Sequence, residues 1–178
     1  MHRKKNTLIN KKIFSLFLVL SLCWMLVIFL HSAKPADESQ AESLKAGYLI
    51  GKIFVPGFRQ WDPDTQYAFA KRIDHPVRKC AHATEYAILG ILYLLTLSHW
   101  PRPQGRFFCL AAWLLASSYA ATDEFHQTFV PGRSGQISDV ILDSAGCLAG
   151  LLGIYLLQLL WAKIKNVLKT RKNSFCMK

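Results

Sequence analysis

Apolar residues are gathered into four long blocks, and most polar residues lie between them. The first block, residues 13–30, has 18 residues without a charged side chain. As an α-helix it would span about 27 Å, close to the thickness of the hydrocarbon core of a bilayer. The other blocks cover residues 80–98, 107–122 and 140–162, and the two middle ones have polar residues at their ends. The pattern predicts an all-α polytopic membrane protein built on a four-helix transmembrane bundle.

The block boundaries divide the chain into five segments. A basic lead (1–12) precedes transmembrane helix 1 (13–30), and an extracellular segment (31–78) follows it. A core with transmembrane helices 2–4 (79–162) and a basic tail (163–178) complete the chain. A cleaved signal peptide is the alternative for the first block, because its lead is basic. Its apolar run exceeds the roughly 7–15 residues usual in such peptides, so we predict an uncleaved anchor.

The extracellular segment is predicted to be helical. Four apolar residues of its first half follow helical spacing: Leu44, Tyr48, Leu49 and Ile53. A turn comes next, and then a short helix that is broken near Pro76. We expect these pieces to lie on the outer membrane surface or to form a cap over the bundle. Three aromatic residues are candidate interfacial anchors: Phe54, Phe58 and Trp61.

The distribution of charge indicates the orientation. The chain is 52% hydrophobic and 19% charged, and its net charge is +11. Thirteen of its 22 Lys and Arg residues lie in the lead, in the link 100–106 and in the tail, which contain no Asp or Glu. Because these basic residues flank the apolar blocks, we predict no nucleic-acid partner. The positive-inside rule instead places both termini and the link in the cytoplasm, with the tail against anionic membrane lipid.

The cysteines give no sign of a disulfide framework or a zinc site. There are five, an odd number, and no two have CxxC spacing. The five are Cys23, Cys80, Cys109, Cys147 and Cys176, and most fall inside predicted helices. We predict free, packed thiols.

Helix 2 carries a polar face near its outer end. Lys79, His82 and Tyr86 are three and four residues apart, so they fall within about 60° of one another around the helix. Glu85 lies at the border of this face, about 9 Å deeper than Lys79. Such a face is unusual for a helix that is expected to contact lipid.

Helices 3 and 4 bring further polar residues to the same depth. Each has one pair on a single face: Asp123 with Gln127, and Asp139 with Asp143. Glu124 points about 100° away from Asp123. Below Asp143, Gly146 and Gly150 form a small-xxx-small pattern, which permits close contact between helices.

Ionisable groups just inside a membrane interface cost a few kcal/mol each unless they are paired or face a cavity. The structural interpretation is a latch, in which Lys79 and Arg133 neutralise the carboxylates and hold the helices together. The functional interpretation is an outward-facing site. We favour the site, because the set contains more ionisable groups than a latch needs.

Three kinds of chemistry fit these residue types. Arg133 and Lys79 could hold a phosphate or carboxylate group, with the Pro-Gly turn admitting backbone amides. His82 could act as a base in hydrolysis or transfer on a lipid-linked substrate, oriented by a carboxylate. His82 and Glu85 also form an HxxE pair, which Glu124 and a helix-4 aspartate could extend into a divalent metal site. No cofactor is predicted, and a transporter is disfavoured because four helices are few.

Two stretches resemble the VanZ-like family of bacterial membrane proteins. They are "RKCAHATEYAILG" and, about thirty residues later, "ATDEFHQTFVPGRSGQISDVILDSAGCLAG". The similarity covers roughly residues 78–153, and its matching positions are Lys79, His82, Tyr86, Asp123, Glu124, Gln127, Pro131, Gly132, Arg133, Asp139, Asp143 and Gly146. The resemblance implies a multi-pass protein of the bacterial plasma membrane and a link to tolerance of the glycopeptide antibiotic teicoplanin. It implies no particular reaction.

Residues and resemblance together lead to one expectation about function. We expect a cell-envelope protein that binds or acts on an anionic component, such as a lipid-linked or peptidoglycan precursor. Candidate catalytic residues are His82, Asp123, Glu124 and Asp139. Candidate substrate-binding residues are Lys79, Glu85, Tyr86, Gln127, Arg133 and Asp143. The alternative is a non-enzymatic membrane scaffold or regulator whose polar cluster is an interhelical latch.

Overall fold

A computed structural model of the chain describes residues 2–100 and 107–176, with side chains for residues 9–100 and 107–168. The residues it describes contain no strand. They form one 3₁₀ turn, Phe58–Gln60, and five α-helices: α1 (His2–Ser32), α2 (Ala36–Phe54), α3 (Pro63–Ser98), α4 (Phe108–Gln127) and α5 (Ile137–Cys176). The all-helical prediction is confirmed.

Three of these helices are long and apolar enough to cross a membrane. The spans are Ile9–Ser32 in α1, Pro63–Ser98 in α3 and Ile137–Leu168 in α5. The predicted third transmembrane helix corresponds to α4, which is not among the three. Its last turn contains Asp123, Glu124 and His126, and these residues lower the mean hydropathy of a helix only 20 residues long. The four-span bundle is therefore not established by length and composition alone.

The short helix predicted before Pro76 and the predicted transmembrane helix 2 form one helix, α3. Helix α3 continues through Pro76, so the predicted break there is wrong. Asp62 caps its first turn by accepting the backbone N–H of Thr65 at 3.0 Å. Arg78 donates to Asp74 at 3.0 Å, and this i, i+4 ion pair connects the turns before and after the proline. The pair offsets part of the hydrogen-bonding loss that proline causes in a helix.

Helix α2 packs along the first half of α3 with its small residues. Ser43, Gly47 and Gly51 are buried on α2, and they recur every four residues on one face. The predicted apolar stripe lies elsewhere, since Leu49 and Ile53 are exposed. Helix α2 was correctly expected to be amphipathic, but its contact face is the small-residue face rather than the apolar one.

The aromatic residues after α2 divide between the surface and a small cluster. Phe54 is 74% exposed, which suits an interfacial anchor, whereas Phe58 is only 1% exposed. Phe58 lies against Gly51 and packs edge-on to Phe69 and near Trp61. The expectation that Phe58 anchors the chain in the interface is therefore wrong, because its ring fills the end of the α2–α3 contact.

The core of the membrane part lies where α3, α4 and α5 meet α1. Its buried members are Ile28, Tyr86, Leu89, Ala112, Ala116, Ala120, Cys147 and Leu151. The predicted close helix contact is confirmed, because Gly146 and Gly150 lie directly against the backbone of Ala83 and Ala87 on α3. The tight approach of α3 and α5 fixes the height at which their polar residues face each other.

The cysteines whose side chains are described are free, as predicted: Cys23, Cys80, Cys109 and Cys147. Cys147 is the buried one, and its sulfur lies against Gly90. The side chain of Cys176 is outside the part that the structure describes. Cys147 therefore acts as a small apolar residue in the core.

Candidate functional site

The predicted polar residues converge at one end of the helices, where α1 ends, α4 ends and α5 begins. The connection between α4 and α5 turns sharply at Gly132, whose φ of 73° is in the left-handed region that glycine adopts without strain. The backbone N–H of Ala36, at the start of α2, donates to the carbonyl of Pro131 at 3.2 Å. The turn is thereby fixed against the α1–α2 connection.

Three carboxylates lie deep in the cluster. Asp123, Glu124 and Asp143 are 4%, 6% and 1% exposed. The amide of Gln127 donates to Asp123 Oδ2 at 3.3 Å and to Glu124 Oε1 at 3.0 Å. Glu124 also accepts the backbone N–H of Gln136 at 2.8 Å. Although Glu124 was expected to point away from Asp123, Gln127 brings the two carboxylates into one network.

Tyr86 and Asp143 lie beneath this network. Both side chains are essentially fully buried. The Tyr86 hydroxyl and Asp143 Oδ1 have no hydrogen-bond partner among the described residues. Tyr86 packs against Tyr119 with ring centroids 6.2 Å apart and lies within electrostatic range of Asp123 and Asp143. Buried polar atoms without partners are costly and rare in folded proteins, and they mark this floor as more than packing.

Lys79 and Asp139 join α3 to α5 at the rim of the cluster. Lys79 Nζ donates to Asp139 Oδ1 at 2.7 Å, and both side chains are about 30% exposed. The sequence placed Asp139 beside Lys79, and the structure brings them into direct contact. In this arrangement the ammonium of Lys79 is already neutralised by a carboxylate.

Arg133 binds the end of α1 rather than the carboxylates. Its Nε donates to the carbonyl of Lys34 at 2.8 Å, and another donor reaches the carbonyl of His31 at 3.4 Å. A third donates to Gln127 Oε1 at 3.2 Å. Burial lowers the pKa of Arg133, and the neighbouring positive charge of Arg78 lowers it further. Arg133 therefore reaches the carboxylates only through Gln127.

Glu85 lies between His82 and His31, a residue that the sequence did not single out. Glu85 Oε1 lies 2.6 Å from His31 Nδ1, and Glu85 Oε2 lies 3.7 Å from His82 Nδ1. His31 comes from the end of α1. Nothing local in the sequence links it to Glu85, 54 residues later. Glu85 thus binds one imidazole directly and lies near a second, and imidazole and carboxylate are side chains that serve in acid–base chemistry.

A second group that the sequence did not single out connects α2 to the site. Ser43 donates its hydroxyl proton to Asp74, and Arg78 donates to the same carboxylate. Ser43 and Asp74 are buried. The only local signal is the four-residue spacing of Asp74 and Arg78, which favours an ion pair on a helix. The contribution of α2 requires the tertiary fold.

Two cavities meet at this cluster. One, of about 170 Å³, lies between α3 and the α4–α5 turn. It is lined by His75, Lys79, Gln127, Ser134, Gln136 and Asp139 and by a wall that it shares with the second cavity. The other, of about 230 Å³, lies between α2 and α3 and is lined by His31, Ser39, Glu42, Ser43 and Glu85 together with the same wall. That wall consists of Arg78, His82 and Arg133.

The residues present do not form a clear metal centre. Among the described side chains, no group of three or more His, Cys, Asp or Glu is placed to hold a metal ion. Of the HxxE pair, Glu85 contacts His31, and His82 lies 3.7 Å from Glu85.

The family comparison agrees with the resemblance seen in the sequence. No curated protein and no solved structure gave a significant match to the chain. The VanZ/LLP1 family model matches residues 17–159, which include the second half of α1, all of α2, α3 and α4, the first part of α5 and the residues of the polar cluster. With three helices apolar and long enough to span a bilayer, the chain is a membrane protein that belongs to the VanZ/LLP1 family.

Proposed function

We propose that the chain is a bacterial cell-envelope protein that binds, or acts on, an anionic component at the outer face of the plasma membrane. The component belongs to the class of lipid-linked or peptidoglycan precursors. The observation that carries this proposal is the common wall of the two cavities, where Arg78, His82 and Arg133 combine two cations with one imidazole. Guanidinium groups suit phosphate and carboxylate oxygens because they can offer paired donors.

The proposed topology has four spans, with α4 as the third and both termini in the cytoplasm. Charge supports it, because the lead, the link 100–106 and the tail hold only basic residues among their charged ones. The contacts of α4 with both α3 and α5 support it as well. The α4–α5 turn and the cavities then face outward.

Topology can be tested in a cysteine-free background by labelling from outside the cell. Gln136→Cys lies in the turn, and Asn166→Cys follows the last apolar block of the sequence, residues 140–162, near the C-terminal end of the last span. A membrane-impermeant maleimide should label the first in intact cells and the second only after the membrane is opened. Labelling of Asn166→Cys in intact cells would contradict the orientation.

The acid–base arrangement suits hydrolysis or transfer on the bound component. His82 faces both cavities and lies beside Glu85, so it is the candidate base, and Glu85 is its candidate partner. Asp139, which lines the first cavity, is a candidate for orienting groups of the substrate. Asp123 and Glu124 support the floor through Gln127.

The function can be tested by quantifying lipid-linked and cell-wall precursors in a deletion strain that carries wild-type, His82→Gln or His99→Gln protein. His99 is a matched control, because it caps the same helix on the other side of the membrane. Among the described residues its ring hydrogen-bonds only locally, with Leu95 and Ser98. We expect the deletion and His82→Gln to change the same anionic species. Precursor pools that do not change on deletion would refute the proposal. Altered susceptibility to teicoplanin in the same strains would extend it.

The second candidate is a scaffold in which the cluster is a latch between helices. Two contacts favour it: the Lys79–Asp139 ion pair and the three hydrogen bonds by which Arg133 holds the end of α1 and Gln127. His82→Gln and Glu124→Gln distinguish the two candidates. If the cluster is a site, both variants keep the folded amount and melting temperature of the wild type. A fall in both that is rescued by removing the opposite charge favours the latch.

A further inference from the structure

The three cations around the cavities differ in how far the protein already uses them. Lys79 is paired with Asp139 at 2.7 Å. Arg133 donates to the carbonyls of His31 and Lys34 and to Gln127. The ammonium of Lys79 is already neutralised by that carboxylate, and Arg133 uses three of its donors to hold the end of α1 and Gln127. The residues to which the sequence first assigns anion binding therefore also have structural contacts.

Arg78 differs from both. Its NH2 group donates to Asp74 at 3.0 Å, and its Nε is buried without a hydrogen-bond partner among the described residues. It lies in the wall of both cavities. We infer that Arg78 is the residue that binds the anion, and that the ligand group is a phosphate; this inference rests on the proposed function.

A phosphate fits this position better than a single carboxylate. The planar guanidinium presents two parallel N–H donors to adjacent oxygens, a geometry that matches phosphate. Beside Arg78 the second cavity has an apolar side formed by Ala46, Val77 and Ala81. A phosphate ester could place its charged end on Arg78 and an apolar neighbouring group along this side. This arrangement suits the phosphate of a lipid-linked precursor.

Asp74 is the positioning residue for Arg78. Its carboxylate is 4% exposed and lies between the Ser43 hydroxyl of α2 and the guanidinium of Arg78. Asp74 lines neither cavity, so it acts through Arg78. Because Ser43 is itself buried against α3, the packing of α2 sets the direction in which the guanidinium points.

The inference can be tested on the detergent-purified full chain with three probes. The probes are inorganic phosphate, a short isoprenyl phosphate and the corresponding isoprenyl alcohol. We expect wild-type protein to bind the isoprenyl phosphate and not the alcohol. Stronger binding of the ester than of free phosphate would identify the lipid-linked source, and equal binding would identify the phosphate alone as the recognised group.

Substitutions then assign the anion to a residue. Arg78→Gln should weaken binding of the isoprenyl phosphate by about tenfold or more. Arg78→Lys should recover only part of this loss, because the lysine ammonium lacks the two parallel N–H donors of a guanidinium. Arg72→Gln is the matched control, since Arg72 is exposed on the same helix and lines neither cavity. If Arg78→Gln binds like wild type, the inference is wrong while the proposed function stands. Wild-type protein that binds neither phosphate probe refutes both.

The positioning role of Asp74 can be tested by asking whether its effect on phosphate binding depends on Arg78. Asp74→Asn and Ser43→Ala should each weaken phosphate binding several-fold, by about 3–10 times. In the presence of Arg78→Gln, Asp74→Asn should have no further effect on binding. The double variant also removes both charges of the buried pair, which protects folding. An unchanged effect of Asp74→Asn in the two backgrounds would show that Asp74 does not act through Arg78.

Discussion

Helix α3 takes part in two contacts that use the same packing device. On one side, Gly146 and Gly150 of α5 lie against the backbone of Ala83 and Ala87. On the other, Gly47 of α2 lies against Ala70, and Gly51 lies against the ring of Phe58. We call these the α3–α5 contact and the α2–α3 contact. Both rely on small residues spaced four apart, which let the helix backbones approach closely.

The two contacts differ in what the glycines touch. In the α3–α5 contact the neighbouring atoms are backbone atoms, which cannot move without separating the helices. In the α2–α3 contact, Gly51 faces a side-chain ring, and a Cβ added at Gly47 would stay 3.1 Å or more from its nearest neighbour, Ala70. Each contact also has one polar connection: Lys79 to Asp139 in the first, and Ser43 through Asp74 to Arg78 in the second. The α3–α5 contact should therefore be the less tolerant of added volume.

The largest effect is expected from Gly146→Ala. The added Cβ meets the backbone of Ala83, so we expect a loss of about 1–3 kcal/mol in the free energy of unfolding. Thermal unfolding in detergent measures it. Gly153→Ala is the matched control on the same helix, where a Cβ meets nothing within 4 Å, and better helix propensity should leave stability unchanged or raise it by up to about 1 kcal/mol. Equal losses in both variants would contradict the packing argument.

A smaller effect is expected at the α2–α3 contact. Gly51→Ala must displace the Phe58 ring, which is packed against Trp61 and Phe69, and should cost about 1 kcal/mol. Gly47→Ala should leave the free energy of unfolding nearly unchanged. Its Cβ comes within 3.1 Å of Ala70 Cα, so the helices must shift by a few tenths of an ångström. The better helix propensity of alanine offsets the cost of this shift. Limited proteolysis at Lys45 and Lys52 measures the release of α2.

The outcome that would contradict this prediction is a Gly51→Ala protein as resistant to proteolysis as wild type. A loss at Gly47 larger than at Gly51 would mean that the backbone near Ala70 yields less than the Phe58 ring. The first result would remove the distinction between a backbone contact and a side-chain contact. The second would contradict the expected order of the two variants but would strengthen that distinction.

The sequence predicted the α3–α5 contact but not the α2–α3 contact. "GCLAG" follows a strongly apolar block, where small residues are the main means of close helix association. In α2 the same spacing of Ser43, Gly47 and Gly51 predicted no contact, because the segment opens polar and its helix was predicted from the spacing of its apolar residues. A helix next to a membrane has two apolar surroundings, lipid and protein, so an apolar stripe alone does not identify the contact face.

The polar cluster shows the same limit at the level of single residues. The faces of Lys79, His82, Asp123 and Gln127 followed from helical spacing, because each depends on positions within one helix. The contact of His31 with Glu85 joins residues 54 positions apart, and no periodicity within either helix encodes it. The same holds for Ser43 and Asp74, whose contact depends on how α2 folds back. Residues that join helices at their ends require the tertiary structure.

The polar connection of the α3–α5 contact should contribute less than its glycines. Lys79 and Asp139 are each about 30% exposed, so water screens their attraction, and we expect a coupling of at most about 1 kcal/mol. Lys79→Met, Asp139→Asn and the double variant measure it as a double-mutant cycle of thermal unfolding. A coupling well above this limit would favour the latch interpretation of the cluster.

The smallest effect concerns the start of α3, and therefore only the α2–α3 contact. Hydrogen bonds from the Thr65 hydroxyl and backbone N–H lower the pKa of Asp62 below its ordinary value. Because the pKa is lower in the folded state, the cap stabilises the helix above the ordinary Asp pKa of about 4, and its contribution is lost as the pH falls toward the folded-state pKa. Asp62→Asn keeps an N-cap acceptor without a titratable charge. Amide hydrogen exchange over residues 63–70 should show wild type better protected than Asp62→Asn at neutral pH, with the difference vanishing in acid. The amides of α5 are the internal control and should exchange alike in the two proteins at every pH. A difference over residues 63–70 that persists in acid would mean that the charge of Asp62 plays no part in the cap.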